Sequence, residues 1–213
     1  MDFLRTESLL LDAAMGTALI GQGLKGRAPE WNLTRPELVR EVHLAHVAAG
    51  AQVVLTNTFT GATAEEAAAA VRLARESGAK RVAGSLWAGL PDLARQIDQL
   101  RETDAIWLES ATSAEQALAA VKTAAARTRL PIAITCALEK APLQALRDAG
   151  ASAAGYNCTP WPTDAAGADV VKPDSAGIVD PAVWAAKIPA ARLRGGCCGT
   201  DARYLAALRA TSR

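Results

Sequence analysis

Eight short, β-rich apolar runs recur along the chain, at residues 9–14, 52–57, 81–86, 105–110, 132–137, 153–158, 169–174 and 192–197. Each has the length of a buried strand. The stretches between them are rich in Ala, Leu, Glu and Arg at helical spacing: 36–49, where Leu38, Val42 and Ala45 share a face, then 64–77 and 113–128. Pro36 in a first turn behind Thr34 or Arg35, and Ser113 ahead of Ala114 and Glu115, mark helix starts, while Gly50, Gly78 and Gly150 mark stops. The phrase Ala-Gly-Ala, at residues 49–51 and again at 149–151, reads as the helix-to-strand turn of a βα repeat.

Eight such units predict an α/β protein, a compact TIM-like (β/α)8 barrel formed by residues 1–213 as one domain. An open doubly wound sheet is the alternative. Barrels of this kind use about 250 residues and this chain has 213, so several units are expected to be pared down. Residues 91–102 and 160–168 are the places where short helices or loops are expected.

Half of the residues are hydrophobic and the formal net charge is +1, with no basic stripe interleaved with aromatics. That excludes an electrostatic footprint for nucleic acid and points to a small-molecule partner. The first eleven residues mix Asp2, Arg5 and Glu7 into a short apolar run, which fits neither a signal peptide nor a membrane span. A cytoplasmic protein is expected. Four cysteines are too few for a disulfide scaffold, and in a reducing compartment clustered cysteines bind metal or do chemistry.

Polar residues concentrate where the predicted strands end: Asp12, Asn57, Glu109, Asn157 with Cys158, Lys172 with Asp174, and Cys197 with Cys198. In a barrel these ends converge on one pocket. The sharpest signal is the run from Arg194 to Thr200, in which adjacent Cys197 and Cys198 are flanked by Gly195, Gly196 and Gly199. Neighbouring cysteines cannot easily bridge each other, but glycines that permit unusual φ and ψ let both reach one ion, with Cys158 as the third ligand. Three protein ligands on tetrahedral Zn2+ leave one position open for a substrate thiol, which the metal would deprotonate without a separate general base. Cysteines that merely pack in a core are the alternative.

The stretches 10–17, 32–36, 49–51, 56–59, 155–158 and 195–199 closely resemble, in order, the homocysteine S-methyltransferases. That zinc-dependent family includes the betaine and S-methylmethionine enzymes and the homocysteine module of cobalamin-dependent methionine synthase. The resemblance implies a barrel enzyme whose Cys158, Cys197 and Cys198 bind zinc and are the catalytic centre. It also implies that Asp12 and Glu109 hold the homocysteine ammonium group, with Asn57 and Asn157 as polar wall residues. Two carboxylates beside an amine are a sensible recognition pair. Departures from the family are a shorter chain, Ala13 in place of Gly, Ser110 in place of Thr after Glu109, no glycine-proline turn after the third strand, and residues 172–177 in place of an asparagine-rich segment.

Among the remaining residues, Cys136 reads as core, and His43 with His46, read as not sharing a helix face, are assigned surface or packing roles. Trp31, Trp87 and Trp161 fall in loops where an indole face would suit an onium methyl donor, while Trp107 is assigned to the core and Trp184 to a helix face. The functional expectation is methyl transfer to homocysteine, giving methionine, with a sulfonium such as S-methylmethionine or S-adenosylmethionine as donor. One alternative is a minimal homocysteine-activating module that receives its methyl group from a separate corrinoid or folate protein. The other is a non-catalytic zinc- or thiol-binding barrel.

Overall fold

The structure, a computed structural model, describes residues 2–159 and 165–211. Strands β1 (Leu9–Leu10), β2 (Val53–Leu55), β3 (Arg81–Trp87), β4 (Ala105–Ala111), β5 (Ile132–Cys136), β6 (Ala153–Asn157), β7 (Val170–Lys172) and β8 (Leu193–Arg194) form one parallel sheet. From β2 to β8 each pairs with its sequence neighbour, and β8 pairs with β1. The remaining gap, between β1 and β2, is sewn by a bridge from Leu11 to Val53 and by the Gln52 N–H donating to the Leu10 carbonyl at 2.7 Å. Two side chains reinforce it: Gln52 Oε1 accepts from the Leu10 N–H at 3.1 Å, and Asp12 Oδ2 from the Leu55 N–H at 2.8 Å. The sheet thus closes as a (β/α)8 barrel at a thin seam, and the open doubly wound alternative is excluded.

Helix α1 (Phe3–Thr6) precedes the barrel, and α2 (Met15–Gly21), α3 (Trp31–Thr34) and α4 (Pro36–Ala48) lie between β1 and β2. After β2, β3, β4 and β5 come α5 (Ala64–Glu76), α6 (Leu93–Gln99), α7 (Ala114–Arg127) and α8 (Leu143–Asp148); α9 (Pro181–Ala185) and α10 (Ala202–Ala210) follow β7 and β8. The expected shortening after β3 is present, since α6 has 7 residues. The expected short unit at 160–168 lies partly outside the described residues. Starts and stops follow local chemistry: Ser113 caps α7 by accepting from the Gln116 N–H, and Thr63 with Glu66 forms a capping box on α5. The repeated Ala-Gly-Ala phrase closes α4 and α8 identically. Gly50 and Gly150 take φ of 112° and 117°, and Ala51 and Ala151 donate back to the His46 and Leu146 carbonyls.

Strand alternation decides what enters the barrel. In its interior cluster the small residues Ala83, Ala105, Ala133 and Ala153 of β3 to β6 make room for the ring of Trp107, with Leu9, Leu11, Val53, Leu55, Val170 and Leu193 from the other strands. Phe3 and Leu4 join that cluster at the N-terminal end of the strands, where Arg81, the first residue of β3, places its guanidinium 5.3 Å from the Phe3 ring centre. The intervening positions, among them Leu86, Ile106, Leu108 and Ile134, face outward and bury Ile97 of α6, Val121 of α7 and Leu146 of α8.

Helix α4 departs from the expected pattern. Its buried face is Val39, Val42, His43 and His46, whereas Ala45 is exposed. Residues three apart do share a helix face, so both histidines pack inward, and neither ring nitrogen of His43 meets a hydrogen-bond partner. Burial lowers the His43 pKa from 6.5 to about 4, against the attraction of Asp12, and lowers that of His46 for the same leading reason.

Two predictions follow from this packing. A β-carbon on Gly155 would lie 1.9 Å from the Val170 carbonyl oxygen, so Gly155→Ala should cost about 3 kcal/mol or more in chemical denaturation, whereas Gly16→Ala, with open space around it, should stay within about 0.5 kcal/mol. A histidine whose pKa falls on folding stabilises the protein above its unfolded value and loses that contribution as pH drops. Stability should therefore decline by about 3 kcal/mol from His43 between 6.5 and about 4. In a pH series of denaturation midpoints His43→Leu should show a shallower decline; an unchanged slope would place its origin elsewhere.

Candidate metal centre and pocket

The polar strand ends converge as expected, except for Asp174, which does not line the pocket. A pocket of about 700 Å³ opens at the C-terminal ends of the strands, and Asp12, Asn57, Glu109, Asn157, Lys172 and the three cysteines all line it. Alternation explains the set. Two residues beyond Trp107 on β4 stands Glu109, two beyond Val170 on β7 stands Lys172, and two beyond Ala83 on β3 stands Ser85, which also lines the pocket.

The cysteine segment is held by its main chain. Gly196 N–H donates to the Asp12 carbonyl at 3.1 Å, Cys197 N–H to the Pro173 carbonyl at 2.8 Å, and Ser175 N–H to the Cys198 carbonyl at 2.9 Å. The flanking glycines serve this approach more than unusual torsion. A β-carbon would fall 2.6 Å from the Asp12 carbonyl oxygen at Gly195 and 2.1 Å from Thr200 Oγ1 at Gly196, and of the three Gly199 alone has positive φ. Cys158 follows β6 with φ of 50°, its N–H donating to the Lys172 carbonyl at 3.2 Å. The three sulfurs lie within 4.8 Å of one another. Cys158 and Cys197 are joined as a disulfide, and Cys198 Sγ is free at 3.3 Å from Cys158 Sγ. Three thiolates at one ion therefore require the reduced form. Burial, with the Asp174 carboxylate adding to it, raises the Cys198 pKa, a shift that a bound cation would oppose. Cys136 is core as expected, its thiol pushed up to about 12 by burial.

Asn157 and Asn57 differ. The Asn157 amide donates to Ser110 Oγ at 2.9 Å and lies 3.7 Å from Cys197 Sγ, while its oxygen accepts from the Ser110 N–H. It ties β4 to the cysteine segment and holds Ser110 at φ of 57°. The Asn57 amide is committed to the Ala28 carbonyl and Asn32 Oδ1, so it braces the wall.

Both carboxylates are buried and already partnered. Asp12 Oδ1 accepts from Lys172 Nζ at 2.9 Å, and Glu109 Oε1 accepts from the Ser85 hydroxyl at 2.6 Å with Oε2 3.9 Å from Lys172. Burial raises the Glu109 pKa, opposed by the Lys172 charge. Sequence reading placed Lys172 among the strand-end residues that converge on the pocket but gave it no role; the period-two step from Val170 was the available signal. Of the tryptophans, Trp31 and Trp87 do not line the pocket and Trp161 lies outside the described residues; the exposed aromatic on its wall is Phe59. Trp107 is buried beneath Lys172, and Trp184 is buried edge-on to Tyr204.

No helix among the described residues is long and apolar enough to cross a membrane. The fold matches the homocysteine methyltransferase MmuM from Escherichia coli. Its apo form is 25% identical with a TM-score of 0.75, over 99% of this chain and 98% of that one. The metallated form gives 24% and 0.76 over 98% and 97%, and the oxidized form 24% and 0.75 over 99% and 98%. The model of the homocysteine S-methyltransferase family matches residues 9–98, a span that includes Asp12 and Asn57 and ends before the cysteines. In its N-terminal sequence and in its whole fold, this chain resembles the homocysteine S-methyltransferases.

Proposed function

We propose that this chain transfers a methyl group to the thiol of homocysteine, giving methionine, at a zinc ion held by Cys158, Cys197 and Cys198. The observation that carries the reading is the convergence of three cysteine sulfurs within 4.8 Å beside a deep pocket at the strand ends. The donor set suits zinc: tetrahedral bonds of about 2.3 Å put sulfurs roughly 3.8 Å apart, inside that envelope, and three ligands leave one corner open. Zinc, when bound, supplies the Lewis acidity that lets a thiol lose its proton near neutral pH.

The chain's own residues do the rest. Asn157, reaching Cys197 Sγ and Ser110, fixes one sulfur against β4, and main-chain bonds at Cys158 and Cys198 position the other two. A sulfonium such as S-methylmethionine or S-adenosylmethionine suits the role of donor, because its positive sulfur makes the methyl carbon electrophilic and departs as a neutral thioether. The acceptor sulfur forms its bond to the methyl carbon as the donor's sulfur–carbon bond breaks, and that electron pair stays on the donor sulfur.

A second reading is a homocysteine-activating module that takes its methyl group from a separate corrinoid or folate protein. It is favoured by the apolar rim, where Ile20 and Phe59 line the pocket yet are 63% and 38% exposed. The two readings separate on a donor panel. Reduced, zinc-loaded protein with homocysteine should yield methionine, detected by mass spectrometry, from a sulfonium donor. Product from a methyl-carrier protein alone would establish the module, and thiol binding without product from any donor would establish a binding barrel.

The metal centre has its own test. Protein purified under reducing conditions should take up about one zinc per chain, and Cys197→Ser should lose both stoichiometric zinc and thiol binding. Unchanged metal content in Cys197→Ser would overturn the assignment.

A further inference from the structure

Two buried carboxylates facing one pocket demand a cation, and here the chain supplies its own. Lys172 is 3% exposed, with Nζ 2.9 Å from Asp12 Oδ1 and 3.9 Å from Glu109 Oε2, and with the Trp107 ring centre 5.9 Å away. The other carboxylate oxygens are also spoken for: Asp12 Oδ2 by the Leu55 N–H and Glu109 Oε1 by the Ser85 hydroxyl. An incoming ammonium group would have to displace Lys172 or sit beside it, placing two like charges against the same buried carboxylates.

We propose that Lys172 is a specificity-determining residue whose ammonium fills the cation site of Asp12 and Glu109, so that the pocket takes acceptor thiols lacking a free amine as readily as homocysteine. The acceptor class is then a short-chain thiol with no required α-amine. The inference rests on the reading that a thiol binds at the cysteine-held metal, and it assigns the head-group selectivity of that same pocket. Glu109 fits the assignment: its Oε1 is held by the Ser85 hydroxyl and its Oε2 faces Lys172, while burial raises its pKa against the pull of the Lys172 charge.

The matched probes are homocysteine and 4-mercaptobutyrate, which differ by the amine, titrated by calorimetry into reduced, zinc-loaded protein. In the wild-type protein their dissociation constants should agree within about threefold. In Lys172→Met, which frees both carboxylates, homocysteine should bind better than 4-mercaptobutyrate by about tenfold or more, the scale of one charge-assisted hydrogen bond. Lys172→Gln, which keeps a donor for Asp12, serves the same comparison should the methionine variant not fold. A wild-type preference for homocysteine of about tenfold or more would overturn the inference and leave the acceptor reading intact. Binding of neither thiol would overturn both.

Discussion

Asp12 is the residue on which barrel closure and site geometry both depend. Its Oδ2 accepts from the Leu55 N–H across the seam between β1 and β2, its Oδ1 from Lys172 Nζ, and its own carbonyl from the Gly196 N–H. One residue thus joins the weakest edge of the barrel, the buried ammonium and the segment that carries Cys197 and Cys198. A buried carboxylate bonded this way is costly to leave unpaired, so the closed barrel and the placement of the cysteines stand or fall together. The seam needs that help because β1 has only 2 residues and β2 only 3.

The interior shows why a strand-end pocket rather than a filled core sits above this seam. Alanines at the inward positions of β3, β4, β5 and β6 leave room for the Trp107 ring, packed with Leu9, Leu11, Leu55 and Leu193 from the other strands. The layer above it holds Ser85, Glu109, Asn157 and Lys172. Such a layer is stable only if its charges compensate one another. Lys172 does so for Asp12 and Glu109, and Ser85 and Ser110 satisfy the neighbouring Glu109 and Asn157.

Much of this was legible in the chain. All eight strands were, because a parallel strand buried on both faces announces itself as an apolar run, and the Ala-Gly-Ala phrase marked two turns whose hydrogen bonds are identical. The convergence of Cys158, Cys197 and Cys198 was legible from their positions at strand ends. Three things were not. The buried face of α4 was misplaced by one residue because His43 and His46 were read as not sharing a helix face, though residues three apart do and burial, by lowering the His43 pKa, favours the uncharged ring that packs there. The glycines around the cysteines were read for torsional freedom, whereas Gly195 and Gly196 are needed because Asp12 and Thr200 approach too closely for a side chain. Lys172 was seen as a strand-end polar residue, but ion pairing between strands distant in sequence leaves no local mark: Asp12 and Lys172 are 160 residues apart.

A shortened chain can keep such a site because of where its supports lie. The bonds that fix the cysteines run between strand ends and the loops that follow them: Cys158 to the Lys172 carbonyl, Cys197 to Pro173, Ser175 to Cys198 and Gly196 to Asp12. None involves a helix of the outer ring. The helices bury the outward faces of the strands, as Ile97 of α6 and Leu146 of α8 do, and that burial scales with apolar area rather than with any one contact. Trimming α6 to 7 residues and α9 to 5 therefore costs stability in small increments and leaves the geometry of the sulfurs untouched. Changes at the strand ends cannot be absorbed that way, since each residue there holds a neighbour's main chain as well as its own place in the pocket.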